Sequence, residues 1–105
     1  MTVNGKAKVD FEKWYGVNVE FVGEVLYLEE FYILPGSMKY GVYVDWFDSV
    51  GIHIEINFRS WENSWQFELG TNDNNPNYRH FSINTRPEAR TAAITKATEL
   101  YNNRK

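Results

Sequence analysis

The sequence predicts an α+β fold in which an antiparallel β-sheet of about five to seven strands packs against one C-terminal α-helix. Between Val3 and Ile83, short runs alternate apolar and polar residues, which is the period of a half-buried strand. After Thr85, alanines and a leucine instead repeat at helical spacing. With 105 residues, the chain is expected to form one domain, 1–105.

The first half of the chain predicts three strands. The first covers residues 3–11, where Val3, Ala7, Val9 and Phe11 share one parity. Residues 17–22 alternate in the same way. Residues 24–34 are apolar at both parities, which is typical of a central strand or a covered interface. A helix also fits this segment, but its aromatic and branched residues favour a strand. Pro35 and Gly36 then predict a type II turn.

Four further runs predict the rest of the sheet. Residues 40–47 place Tyr40, Val42, Val44 and Trp46 on one face, and residues 52–58 place four apolar side chains inward. Residues 61–64 separate this strand from residues 65–69, as the connection of a hairpin does. A last strand in residues 78–84 has Phe81 and Ile83 inward and His80 outward. On parity, Trp65 is expected in the core beneath the helix, whereas Trp61 lies at the turn.

The C-terminal helix is predicted from Arg86 to about Tyr101. Thr85 and Glu88 have the spacing of a capping box, and Pro87 lies in the first turn, where its missing N–H costs nothing. The stripe that faces the sheet consists of small and apolar residues: Ala89, Ala93, Ala97 and Leu100. Such a stripe allows the helix to lie close to the strands.

Composition excludes several classes of protein. The chain has no cysteine, so disulfides, cysteine-ligated zinc and a thiol nucleophile are ruled out. No apolar run approaches the roughly 20 residues that span a bilayer, and the N-terminus lacks the apolar segment of a secretory signal. We therefore expect a cytoplasmic protein without a membrane partner.

Charge is distributed unevenly. Residues 17–55 carry seven acidic residues and a single lysine, Lys39. A solvated acidic face explains this pattern, but acids around apolar side chains are also typical of a surface that binds a basic partner. The predicted partner-binding residues are therefore acids that steer the encounter and rings that anchor it: Glu20, Glu24, Glu29, Glu30, Asp45, Asp48, Tyr27, Phe31, Tyr32 and Trp46. A homodimer built on residues 24–34 is a competing interpretation.

Catalytic chemistry has little support in the sequence. There is no Gly-rich phosphate loop and no nucleophile elbow. His53 and His80 are expected on one sheet face with Glu55 and Glu68, a set that suits a divalent metal, but the chain has no closely spaced histidine motif. We expect no enzyme activity, no catalytic residues, no metal and no cofactor.

A nucleic-acid-binding module is the alternative function. Arg59 and Arg79 would contact phosphates, and Trp61 would stack on a base. The basic residues are interspersed with acids, and the isoelectric point is about 5.3, which disfavours phosphate binding. Nucleic acid is therefore an unlikely partner.

The C-terminal segment TRPEARTAAITKATEL carries a resemblance. It is similar to the ending of many small uncharacterised proteins from phages and prophages, in which a capped amphipathic helix follows short strands. The resemblance covers the chain from Tyr78 onward. Proteins of this kind have no general assigned activity, although some small phage proteins inhibit host defence or host enzymes. Together with the acidic segment, the resemblance predicts an accessory protein of a phage or mobile element that inhibits a host defence or nucleic-acid-processing protein by occluding its surface.

Overall fold

The computed structural model describes residues 1–18, 27–72 and 78–104. Its elements, in chain order, are α1 (Gly5–Asn18), α2 (Leu28–Tyr32), α3 (Gly36–Ser49), β1 (Ile52–Arg59), β2 (Ser64–Thr71), β3 (Tyr78–Ile83) and α4 (Arg86–Asn102). The α+β class, the antiparallel sheet and the C-terminal helix are confirmed. The predicted number of strands is wrong: within the described residues the sheet has three. The predicted strands 3–11 and 40–47, and the described part of the predicted strand 24–34, lie largely in helices.

The predicted first strand is helix α1. The buried residues of this helix are spaced four apart, at Ala7, Phe11 and Tyr15, and Val3, which precedes the helix, continues the spacing; Val9 is 53% exposed. A spacing of four keeps the parity of a strand and also returns to nearly the same side of a helix. The alternation therefore could not distinguish the two structures. Of the second predicted strand, residues 17–18 end α1, and residues 19–22 lie outside the described residues.

Residues 40–47 lie in α3 rather than in a strand. Their buried side chains come in adjacent pairs separated by one turn: Val42, Tyr43, Trp46 and Phe47. This is the pattern of one helix face. The type II turn is also wrong, since Pro35 is the N-cap of α3 and Gly36 its first residue. In the two-sided segment 24–34, the described part includes the short helix α2, so the helical alternative holds there.

The predicted hairpin is confirmed. β1 pairs with β2 in one continuous antiparallel register from Ile52–Thr71 to Arg59–Ser64. β2 then pairs with β3, with a register shift between Trp65 and Phe67. On β3, Ser82 has a φ of 63°. This irregularity changes the parity of β3, so Phe81, which was predicted to point inward, is 42% exposed, whereas Ile83 is buried as predicted.

Helix α4 covers one face of the sheet and contacts all three strands. The backbone N–H of Glu88 donates to the Thr85 hydroxyl at 3.2 Å, which is one half of the predicted capping box. The buried stripe of α4 contains Ala89, Ala93 and Ala97, whose small side chains allow the helix to lie close to the strands. The opposite side of the sheet is left open by the described helices, and we call it the open sheet face. None of the described helices is long and apolar enough to cross a membrane.

An aromatic core joins the helices. Phe11 of α1 lies at its centre, with ring centroids 4.8–6.0 Å from those of five neighbours: Trp14, Tyr15, Phe31, Tyr43 and Trp46. Trp46 also packs against Tyr101 of α4, at 5.0 Å. Several rings that the alternation assigned to sheet faces therefore hold four helices together.

Candidate functional site

The predicted partner-binding acids lie on α2 and α3 where the structure describes them. Glu29 and Glu30 are exposed on α2, and Asp45 and Asp48 are exposed on α3. Glu20 and Glu24 lie outside the described residues. Because Asp45 and Asp48 are three residues apart in a helix, their side chains project from neighbouring positions on its outer side.

The predicted anchoring rings separate into buried and exposed groups. Phe31 and Trp46 are 0% and 1% exposed, so they stabilise the core and are not available at the surface of the folded chain. Tyr32 is half-buried, and its hydroxyl donates to Glu12 at 3.0 Å. Burial is the main cause of the raised pKa of Tyr32, and the bond to Glu12 adds to it. Tyr27, by contrast, is 71% exposed.

Two exposed apolar residues in the same segment of the chain were not predicted. Ile33, directly after α2, is 84% exposed, and Met38, in the first turn of α3, is 47% exposed. Because residues 24–34 were predicted to form a strand, Ile33 was expected to lie on a covered face. A helical reading of α3 would have identified Met38, because positions 38, 41, 45 and 48 follow one another along a helix at intervals of three and four.

These residues define what we call the acidic helical surface: Tyr27, Glu29, Glu30, Ile33, Met38, Asp45 and Asp48. Between residues 27 and 50 the only basic residue is Lys39. The segment thus combines exposed apolar side chains with a net negative charge. Large exposed apolar side chains beside charged residues are a feature of protein-binding surfaces.

Asp48 also connects α3 to the sheet. Its carboxylate lies 2.8 Å from Nδ1 of His53, and Nε2 of the same ring lies 2.7 Å from the side-chain amide oxygen (Oδ1) of Asn72. The bond to Asp48 contributes most to the raised pKa of His53, followed by the bond to Asn72. Between α3 and β1, Gly51 has a φ of 83°, which favours glycine, and its carbonyl accepts the Asn72 N–H at 3.2 Å.

The residues predicted for nucleic-acid binding lie on the open sheet face, where Arg59 and Trp61 are in contact and Arg79 lies apart from them. The Arg59 guanidinium lies 5.1 Å from the ring centroid of Trp61 and 4.5 Å from that of Phe81. Trp61 is 75% exposed. Arg79 lies two strands away, on β3, opposite Glu68 of β2, and is therefore level with Glu55 of β1 rather than with Arg59. The face therefore combines an arginine between two aromatic rings with a second arginine on the far edge strand.

Both arginines have acidic partners. Arg59 lies 3.3 Å from Glu62, and Arg79 lies 2.7 Å from Glu68. Glu55, directly opposite Glu68 across the two strands, adds another negative charge. With two arginines and three glutamates, this group of charges has no excess positive charge with which to attract phosphates.

Trp65 is the second tryptophan of the hairpin. It is half-buried and packs against the core, with the guanidinium of Arg86 at 4.5 Å from its ring centroid. It lies on the side of the sheet covered by α4, as its parity predicted, with the first residue of α4 over it. Trp61 and Trp65 thus do not form a common stacking platform.

The two histidines lie on opposite faces of the sheet. His53 is on the open sheet face, whereas His80 pairs with Phe67 and stacks on its ring at 5.7 Å, on the side of α4. The prediction that both point outward on one face is wrong for His80. Among the described residues, no group of three or more histidine, aspartate or glutamate side chains is placed to hold a metal ion.

In comparisons with known proteins, no family model matches the chain, and neither a curated protein nor a solved structure matches it. The resemblance of the C-terminal segment to small phage proteins stays a prediction.

Proposed function

We propose that the chain is a non-enzymatic protein-binding domain that contacts a partner with a basic surface through the acidic helical surface. The observation that carries this proposal is the exposure of Tyr27, Ile33 and Met38 on a segment whose charged residues are almost all acidic. Exposed apolar side chains supply the centre of an interface, and the surrounding charges supply complementarity.

The charges and the apolar residues have different roles in this proposal. Glu29, Glu30 and Asp45 attract the basic partner before contact and increase the rate of association. Tyr27 and Ile33 are buried by the partner once the complex forms, and this burial supplies most of the affinity. Phe31 and Trp46 have no direct role, because they support α2 and α3 from the core.

The mode of action that fits this surface is occlusion. Carboxylates spaced over two helices present negative charge to a protein surface that otherwise binds nucleic-acid phosphates. In the setting of a phage or mobile element, the partner is then a host defence or nucleic-acid-processing protein. This assignment rests on the charge of the segment and on the resemblance of the C-terminal helix.

The test compares two triple variants that raise the net charge equally. Glu29→Gln, Glu30→Gln and Asp45→Asn neutralise the acidic helical surface. Glu62→Gln, Glu88→Gln and Glu99→Gln neutralise three exposed acids elsewhere, and glutamine at position 88 still suits a capping box. Each variant is immobilised and exposed to a lysate of the host, and the recovered protein is then purified and titrated.

We expect the wild type and the control variant to recover the same protein. The variant of the acidic helical surface should bind it more weakly, on the order of tenfold, with most of the loss in the association rate. Recovery of no partner by the wild type would refute the proposal. Equal affinity of the two triple variants would also contradict it, because the location of the charges would then be irrelevant.

Nucleic-acid binding through the open sheet face is the second candidate. The placement of Arg59 between Trp61 and Phe81 favours it, since an exposed ring and an arginine are the parts of a base-stacking site. We rank nucleic-acid binding second because Arg59 and Arg79 are both paired with glutamates. Retention on single-stranded DNA or RNA that falls with salt and is lost in Trp61→Ala would reverse this order.

A further inference from the structure

The two edge strands of the sheet differ in how they are protected. Among the described residues, β1 and β3 each pair on one side only. β3 is shielded by its register shift and by the left-handed backbone at Ser82, which disrupt regular pairing with another strand. β1 pairs over all eight residues without a shift, and it contains neither lysine nor proline. It therefore lacks three of the usual features that prevent strand association, namely a bulge, a lysine and a proline, and its two charged residues, Glu55 and Arg59, are of opposite sign.

The second half of β1 is also open to solvent. Phe58 is 47% exposed, Glu55 and Asn57 are exposed, and Ile56 is half-buried. Glu55 lies directly opposite Glu68, and like charges in this position destabilise a strand pair. Arg79 neutralises Glu68 at 2.7 Å. A further basic side chain beside Glu55 would therefore be favourable.

We propose that a second copy of this chain pairs with the free edge of β1, antiparallel, with the two-fold axis at Asn57. In this register Glu55 lies opposite Arg59 of the second copy, and Ile56 lies opposite Phe58. Asn57 lies opposite itself, and its amide can both donate and accept. The contact is self-complementary, as an isologous dimer requires, and it joins the two sheets into one sheet of six strands.

Charge selects this register among the neighbouring ones. An axis at Glu55 or at Arg59 would place a residue opposite its own like charge. An axis at Ile56 or at Phe58 would leave Glu55 opposite an uncharged residue. With the axis at Asn57, Glu55 of each copy lies opposite Arg59 of the other copy, so the dimer contains two such pairs.

Two features of the single chain fit this arrangement. One guanidinium nitrogen of Arg59 lies 3.3 Å from Glu62. The guanidinium has further N–H donors, so it can also contact Glu55 of the second copy. The ring of Phe58 already packs on Trp65, at 5.1 Å, and its exposed part would be covered by Ile56. The dimer does not rest on the function proposed above, because the acidic helical surface lies on α2 and α3.

Cysteine cross-linking tests both the dimer and its register. The chain has no cysteine, so each variant carries a single thiol. In Asn57→Cys the two Cα atoms lie about 4.5–5.5 Å apart, within the range of a disulfide. In Glu55→Cys, the matched control on the same strand face, they lie four residues apart along the strands, or about 14 Å, which is too far. Each variant is oxidised under mild conditions and separated without reductant.

The proposal expects rapid formation of a covalent dimer by Asn57→Cys and little by Glu55→Cys, and twice the chain mass for the wild type in light scattering. A wild type that is monomeric at every concentration would overturn it. Cross-linking of Glu55→Cys as fast as that of Asn57→Cys would overturn the register.

A charge exchange provides an independent test. Glu55→Arg and Arg59→Glu each place like charges across the axis, so each variant alone should be monomeric while keeping the far-ultraviolet circular dichroism of the wild type. An equimolar mixture pairs opposite charges at both ends and should form the heterodimer. Self-association of either variant at the wild-type level would contradict the proposed pairing.

Discussion

His53 is held by two acceptors, and this sets its preferred protonation state. A neutral imidazole has one N–H, whereas the imidazolium has two and can donate to both Asp48 and Asn72. The folded chain thus holds the proton more tightly than the unfolded chain does, and the pKa of His53 is raised. The contact joins the end of α3 to β1 and to the end of β2.

The pH dependence of stability follows from this raised pKa. The stabilisation is complete below the unfolded pKa of about 6.5, and it is lost as the pH rises through the folded pKa. His53→Gln should therefore lower the free energy of unfolding more at about pH 5.5 than at about pH 8. Because the ring and the carboxylate are each 48% exposed, the difference should be less than about 1 kcal/mol.

Urea unfolding of the wild type and His53→Gln at the two pH values measures this difference. Asp48→Asn is the control, since it removes the charged acceptor and should itself weaken the pH dependence. A gap between wild type and His53→Gln that is larger at the higher pH would show that the ring is stabilised in its neutral form.

Helix α1 shows why a regular element was assigned to the wrong class. Its buried residues recur every four positions, and that spacing satisfies both a strand and a helix. Only Val9, at strand parity but exposed, distinguishes the two. By contrast, the hairpin and α4 were predictable, because β1 alternates cleanly and Thr85 provides a local helix-start signal. Whether the segments of α1 and α3 form helices or strands depends on how their aromatic rings pack in the folded chain. The periodicity of a single sequence does not contain that information.

Two truncations in α1 test this assignment. In a strand, Val9 and Phe11 would point to the same side and both would be costly to remove. In the helix, Phe11 is 0% exposed among five rings, whereas Val9 is 53% exposed. Phe11→Ala should lower the free energy of unfolding by about 3–5 kcal/mol, and Val9→Ala should change it by less than about 0.5 kcal/mol.

Chemical denaturation of the two variants beside the wild type gives both numbers. Similar losses for Val9→Ala and Phe11→Ala would contradict a helix over Gly5–Asn18. If Phe11→Ala does not fold, Phe11→Leu offers a smaller reduction of the same side chain, and its loss should still exceed that of Val9→Ala.

At the scale of the whole molecule, the fold places on helices the acids of residues 27–50 that the sequence had assigned to the sheet. Clusters of charge were visible in the sequence, so Glu29, Glu30 and Asp45 could be selected as surface acids. The anchoring rings could not be chosen correctly, since Phe31 and Trp46 are buried by helices that alternation did not predict. Ile33 and Met38 are proposed as apolar contact residues in place of Phe31 and Trp46, because the helices leave Ile33 and Met38 exposed.

Amide hydrogen exchange of the free and partner-bound chain tests the acidic helical surface most directly. Any strand pairing between copies is present in both samples and cancels in the comparison. We predict that partner binding slows exchange in α2 and the first half of α3 and leaves β2 and β3 unchanged. Slower exchange confined to the strands and the turn at Trp61, with α2 and α3 unaffected, would contradict the proposed surface and assign binding to the open sheet face.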